Sequence, residues 1–128
     1  MTAPDWMNEA VRAFGRQLNL STFALNAQGV AGLSFENGVT LRLEYAHEAL
    51  LMVVGLKADP AADAIKRLLT EVNPEAPRGR FPVRAAFMAR TGELVYAARL
   101  DEREVNESTL GAAFGELWDR IERLRRAL

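Results

Sequence analysis

Catalysis and metal binding need side chains that carry protons, nucleophilic electron pairs or ligand atoms, and this 128-residue chain has few that are suitably placed. It contains no cysteine, which removes thiolate nucleophiles, disulfides and every cysteine metal site. His47 is its only histidine, so no second imidazole exists for a metal cluster and a serine such as Ser34 would have one possible base. His47 lies in Ala46-His47-Glu48, a tight connection between two apolar runs, and reads as an exposed turn residue. Asp59 and Asp63 could serve as paired carboxylates, but four residues apart at a helix start they read as caps that favour the helix dipole. Gly29-Val30-Ala31-Gly32 lacks the spacing of a phosphate loop, and no helix follows it. The arginines at 120, 123, 125 and 126 invite a nucleic-acid reading. Glu116, Asp119 and Glu122 interleave with them, however, and that face lacks stacking aromatics. The usual enzyme constellation of nucleophile, oriented base and oxyanion donors therefore cannot be assembled, and neither catalysis nor a cofactor is expected.

Composition points the same way. A formal net charge of −1 and a pI near 5.9 give no strong pull toward nucleic acid or an anionic membrane. The length suits one domain spanning 1–128, and 49% hydrophobic with 26% charged residues is the balance of a soluble globular protein. The longest apolar run, Ala49 to Leu56, is far shorter than the roughly 20 residues of a membrane span. The N-terminus shows no basic segment followed by an apolar stretch, so the expected compartment is the cytoplasm.

The elements that would position any site follow from periodicity. Thr2-Ala3-Pro4-Asp5 resembles a capping box, and Trp6, Ala10, Val11, Phe14 and Leu18 place one apolar face on a first helix ending near Leu18. Asn37-Gly38, between alternating runs Ala31-Leu33-Phe35 and Val39-Leu41-Leu43-Tyr45, predicts an antiparallel hairpin with a type I′ turn. Leu50 to Leu56 reads as a third strand, apolar on both faces and therefore central or doubly covered. Asp59-Pro60 starts a helix with an apolar face of Ala61, Ala64, Ile65, Leu68, Leu69 and Val72. Asn73 to Pro82 holds three prolines and reads as a mobile surface loop. Strands Val83–Ala89 and Leu94–Leu100 flank Arg90-Thr91-Gly92-Glu93, a second hairpin. A long helix from about Asn106 follows, with Leu110, Phe114, Leu117, Ile121, Leu124 and Leu128 as its seam. Trp118 lies just off that seam, more as core than as anchor. The order helix, three strands, helix, two strands, helix is an α+β fold around an antiparallel sheet.

Val11-Arg12-Ala13-Phe14-Gly15-Arg16-Gln17-Leu18-Asn19-Leu20 resembles the first helix of class I chaperones of bacterial type III secretion. Leu33-Ser34-Phe35-Glu36-Asn37-Gly38-Val39-Thr40-Leu41, the hairpin Arg90 to Tyr96, and a final helix with Phe114, Leu117 and Trp118 extend the likeness over nearly the whole chain. The resemblance implies a cytoplasmic homodimer that holds the N-terminal segment of a secreted effector in extended, export-competent form, without cofactor. Such work needs apolar grooves and an available strand edge. A surplus of apolar side chains near the first strand marks Phe14, Leu18, Phe23, Leu25, Leu33 and Phe35 as candidate partner-binding residues, with Phe23 and Leu25 carrying most of that expectation. Ile65, Leu68, Leu69, Val72, Val83, Ala85 and Phe87 are the candidate dimer interface. The alternative is a regulatory or heterodimeric interaction domain of the same fold that binds a folded partner.

Overall fold

A computed structural model of the chain describes residues 2–59, 61–63, 65, 66 and 81–128. Helix α1 spans Asp5–Gln17 and buries Met7, Val11 and Phe14, whose steps of four and three place them on one stripe. Trp6 does not join them: it sits one position off the stripe and is 48% exposed, with Met7 taking its place in the core. Nor does Thr2 cap the helix. Its hydroxyl donates to the Ala27 carbonyl, and the Pro4 carbonyl accepts from the Met7 and Asn8 amides instead. The helix stops at Asn19, whose φ of 61° is left-handed. The Leu20 amide turns back to the Gly15 carbonyl and the Asn19 amide to that of Arg16, a Schellman closure. Any Cβ at Gly15 would sit 2.8 Å from the Phe23 Cβ, so the returning chain packs on bare helix backbone.

Among the described residues five strands follow: β1 Val30–Ser34, β2 Thr40–Ala46, β3 Ala49–Lys57, β4 Val83–Met88 and β5 Glu93–Asp101. They form one antiparallel sheet in the order β1-β2-β3-β5-β4, so β3 is central, as its two-sided apolar sequence requires, and β1 and β4 are the edges. A short 3-10 turn at Glu102–Glu104 leads into helix α2, Glu107–Ala127, which is capped reciprocally by Asn106 and Thr109. Helix α2 lies across β3 and β5, and α1 packs beside it. Leu110, Leu117, Ile121 and Leu124 are buried as its seam predicts. Leu128 lies beyond the helix and is 52% exposed, and Thr109 and Ala113 supply the other buried positions.

Between β3 and β4, residues 63, 65 and 66 are helical, and Ile65 is fully buried. Asp59 accepts the Ala61 amide, as a capping residue should. The rest of that helix's expected face, Ala64, Leu68, Leu69 and Val72, and residues 73–80 of the expected loop lie outside the described residues. At the loop's end Phe81 is buried in the core rather than displayed at the surface, because an aromatic beside the first residues of β4 can reach the helix-covered side of the sheet.

The turns correct one expectation. Phe35 pairs with Val39, so the β1–β2 connection has three residues, Glu36-Asn37-Gly38, and only Gly38 is left-handed (φ 89°). This is a type I turn closed by a left-handed glycine, and the Asn37 side chain accepts the Val39 amide. The two-residue turn with both centres left-handed occurs instead between β2 and β3, at His47 (φ 52°) and Glu48 (φ 59°). Neither residue relieves that backbone as glycine would, and His47 is exposed there, as its turn position predicts.

Alternation assigns the sheet two faces. Leu41, Leu43, Tyr45, Leu50, Met52, Val54, Leu56, Leu94, Tyr96, Ala98 and Leu100 point toward the helices and are buried. The reverse face carries Arg42, Glu44, Arg99 and Arg84 around half-buried Leu51, Val53, Val95 and Ala97. On that face Gly55 leaves a saddle in the central strand. Thr40 of β2 reaches over it to donate to the Glu93 carboxylate of β5 at 3.0 Å, and a Cβ at Gly55 would approach these two groups to 3.0 and 2.9 Å.

Candidate partner-binding edge

The first strand is an edge because, among the described residues, it pairs only with β2, between Gly29 and the Phe35–Gly38 turn. The Gly29 carbonyl accepts from Tyr45, and Phe35 donates to the Val39 carbonyl. Ladder alternation then turns Val30, Gly32 and Ser34 outward. Asn26 already satisfies Val30: its side chain accepts the Val30 amide and its own amide donates to the Val30 carbonyl. The N–H and C=O groups of Gly32 and Ser34, both exposed, remain directed at solvent along the open edge.

On the helix side of that edge stands a row of rings. Phe14 meets Phe23 at 6.2 Å and Phe114 at 5.7 Å. Phe35 meets Phe114 at 6.1 Å and Trp118 at 5.0 Å, and Phe114 lies 5.4 Å from Trp118. Leu33 and Leu18 pack against the hydrophobic core and are half-buried, as are Phe35, Phe114 and Trp118. The hairpin tip is held to α2 by Asn37, whose side-chain amide donates to Glu122 at 2.9 Å. Arg125 grips the same carboxylate with two hydrogen bonds. Hydrogen bonding from Arg125, and then its charge, holds the Glu122 carboxyl below its ordinary range. At the other end of β2, burial and then Glu102 push the Tyr45 hydroxyl up, and Tyr45 donates to Glu102 at 3.2 Å.

The structure divides the candidate residues. Leu33 and Phe35 flank the open edge, and Leu18 is half-buried against the core. Phe14, Phe23 and Leu25 are 1%, 8% and 6% exposed and close the core beneath α1, so they offer no surface in this state. Leu25 is further fixed by Asn8, whose side-chain oxygen Oδ1 accepts its amide at 2.9 Å. Phe114 and Trp118 belong to the platform although the sequence placed them on the core seam or beside it. Their four-residue spacing on one helix was the available signal. Asn37 gave none, since its bond to Glu122 is distant in sequence, whereas Asn26 acts locally on Gln28 and Val30.

The second group of candidates lies at the opposite edge. Val83, Ala85 and Phe87 share the helix-facing side of β4, with Ala85 buried and Val83 and Phe87 half-buried. Ile65 is fully buried, and Leu68, Leu69 and Val72 lie outside the described residues. Among the described residues no helix is long and apolar enough to cross a membrane.

A family model described as the type III secretory system chaperone SycN matches residues 6–124. Among solved structures, a chain of the ExsC–ExsE complex is similar with a TM-score of 0.80 at 22% identity, covering 98% of this chain and 96% of that one. A chain of the HopA1–SchA chaperone–effector complex is similar at 0.74 and 18%, covering 94% of each. A chain from the Yersinia pestis type III secretion chaperone SycH, in complex with a stable fragment of YscM2, gives 0.71 and 14%, over 92% of this chain and 98% of that one. No curated protein matches the sequence significantly.

Proposed function

The chain belongs to the type III secretory system chaperone SycN family, and we propose on that premise that it binds the N-terminal segment of a secreted effector in extended form and keeps it export-competent. The observation that carries this reading is the open backbone of Gly32 and Ser34 beside the half-buried row Leu33, Phe35, Phe114 and Trp118. An extended chain laid there satisfies both its own main-chain groups and those of β1, while alternate side chains meet the apolar platform. Such a surface selects for extended apolar sequence and not for one exact code, which suits a chaperone. The similarity to a chain of a chaperone–effector complex supports the same assignment. The whole chain acts as one chaperone domain, in the cytoplasm, without catalysis and without a cofactor.

We further propose that two copies pair through the β4 side of the molecule. Val83 and Phe87 supply the half-buried apolar surface there, whereas Ile65 and Ala85 are already covered within one protomer and contribute through packing beneath it. Leu68, Leu69 and Val72 complete this expected interface by their spacing. Light scattering at micromolar concentration checks it: a monomer mass contradicts the pairing.

The test of the binding reading is capture of native partners by the purified chain, followed by proteolytic mapping of the protected segment. The expected result is a protected, extended N-terminal segment of a secreted protein, lost when Leu33 is changed to Asp in a chain that remains folded by circular dichroism. Protection of a folded domain instead, insensitive to Leu33→Asp, would support the regulatory alternative.

A further inference from the structure

Gly32 sits at the middle of the open edge, between Ala31 and Leu33 on the helix side, and therefore faces the reverse side of the sheet. A Cβ at that position would meet only the Leu41 carbonyl at 3.5 Å, with no other atom inside 4 Å. Its cross-strand neighbour on the same face is Arg42, followed in register by Val53 and Ala97. Gly32 and Arg42 form a non-hydrogen-bonded pair, the closer of the two antiparallel spacings. The Arg42 side chain is 58% exposed and meets the Glu44 carboxylate through one terminal nitrogen at 3.1 Å. That contact uses a donor lying in the guanidinium plane and leaves the plane's faces open for stacking.

We infer that the β1 edge selects an extended partner segment carrying an aromatic residue directly opposite Gly32, where the ring covers the bare glycine and stacks on the Arg42 guanidinium. The inference deepens the edge-binding reading above and rests on it. A glycine in a strand leaves backbone uncovered, and a large ring on the adjoining strand repairs that loss. The negative face of the ring complements the guanidinium, whereas an aliphatic side chain fills the same space without that gain and a lysine or arginine is repelled. Because side chains alternate along the incoming strand, the residues on either side of the aromatic fall on the helix side, toward Ala31, Leu33 and the Phe35–Trp118 platform. The selected pattern is apolar, aromatic, apolar, with the aromatic read on the opposite face of the sheet from its neighbours. Asn26 blocks pairing at Val30, which fixes the register at Gly32 and Ser34.

The test pans a phage-displayed library of random 12-residue peptides against the purified full-length chain and against three variants, Gly32→Val, Arg42→Gln and Trp118→Ala, each checked by circular dichroism. The wild-type chain is expected to enrich peptides with one aromatic position flanked by apolar residues. Gly32→Val fills the vacancy and should still enrich apolar peptides while losing the aromatic position. Arg42→Gln should weaken binding of a selected aromatic peptide by about two- to fivefold, the size of an exposed cation–π contact, and leave its leucine counterpart unchanged. Enrichment of apolar peptides with no aromatic position, an acidic residue in its place, or an aromatic preference that survives both Gly32→Val and Arg42→Gln overturns this inference alone. A wild-type chain that enriches no peptide, or enrichment unaltered in Trp118→Ala, overturns the edge reading and this inference with it.

Discussion

The row of five rings from Phe14 to Trp118 has two ends made of similar residues with opposite fates. At one end Phe14 and Phe23 are 1% and 8% exposed, sealed between α1, the chain that returns over Gly15, and Phe114. At the other, Phe35 and Trp118 touch at 5.0 Å yet stay half-buried, because β1 ends the sheet and nothing among the described residues continues it. Hydrophobicity alone does not separate the ends; strand order does. A core ring is enclosed on every side by its own chain, and a binding ring borders a place where the chain stops supplying neighbours.

Phe14→Ala tests the sealed end most severely and should cost about 3–5 kcal/mol, the range for truncating a buried aromatic. Ile121→Ala, in the α2 seam beneath the sheet, should cost about 2–5 kcal/mol, while exposed Arg123→Ala should barely move the denaturation midpoint. Chemical denaturation that reversed this ranking would break the assignment of the seam. Changing Phe23 and Leu25 together to serine should unfold the chain and not merely abolish binding, since both side chains are buried. A folded double variant with lost binding would move the site to that segment.

The open end should respond differently. Trp118→Ala should cost about 1–3 kcal/mol, the scale of its two lost ring contacts, yet remove most binding of the extended segment in a co-purification assay. A large loss of stability without loss of binding would make Trp118 core and erase the distinction between the two ends. The two hairpins offer a smaller comparison. Replacing His47-Glu48 by Asn-Gly, which suits two left-handed centres, should raise stability by about 1 kcal/mol, whereas the three-residue Glu36-Asn37-Gly38 turn should lose stability if shortened to two residues.

The smallest expected effect concerns the tie between the β1–β2 tip and α2. The Glu122 carboxyl is held below its ordinary range in the folded chain, so its contribution is fully present above the unfolded carboxyl's pKa and is lost as pH falls through the lower folded value. The wild-type advantage over Glu122→Gln, read as a Tm difference, should therefore be present at pH 7 and shrink as the solution is acidified toward pH 3. A difference that grew on acidification would remove Glu122 from that role.

Much of this architecture was legible in the sequence. Alternation in Leu41-Leu43-Tyr45 and the doubly apolar β3 predict the sheet and its centre, and the α2 seam is right at four of its six positions. The errors share a physical cause. Trp6 fits the first helix's apolar pattern as well as Met7 does, and only the direction in which the core lies decides between them. Asn-Gly favours a type I′ turn, but pairing of Phe35 with Val39 adds a residue and changes the turn. For the candidate site, Leu33 and Phe35 could be read from alternation beside a short strand. Asn37 and the platform formed with Phe114 and Trp118 required knowledge of which distant segments meet, whereas Asn26 acts on Val30 only four residues on. Phe23 and Leu25 are buried within the chain, and a loosely patterned segment has no period from which that burial can be inferred.

The strand order β1-β2-β3-β5-β4 also has a consequence in time. Ala46 meets Ala49 across a two-residue turn, whereas Ala49 meets Asp101 only after the chain has travelled through residues 58–82 and β4. Closing the larger loop costs more chain entropy, and contacts distant in sequence form slowly. The β1–β2–β3 meander is therefore expected to assemble first as a local unit, with docking of β5 and α2 as the later, rate-limiting event. The edge at Gly32 and Ser34 lies in the early half, while half of its ring platform, Phe114 and Trp118, arrives with the last helix. Complete binding competence is thus timed to completion of the fold.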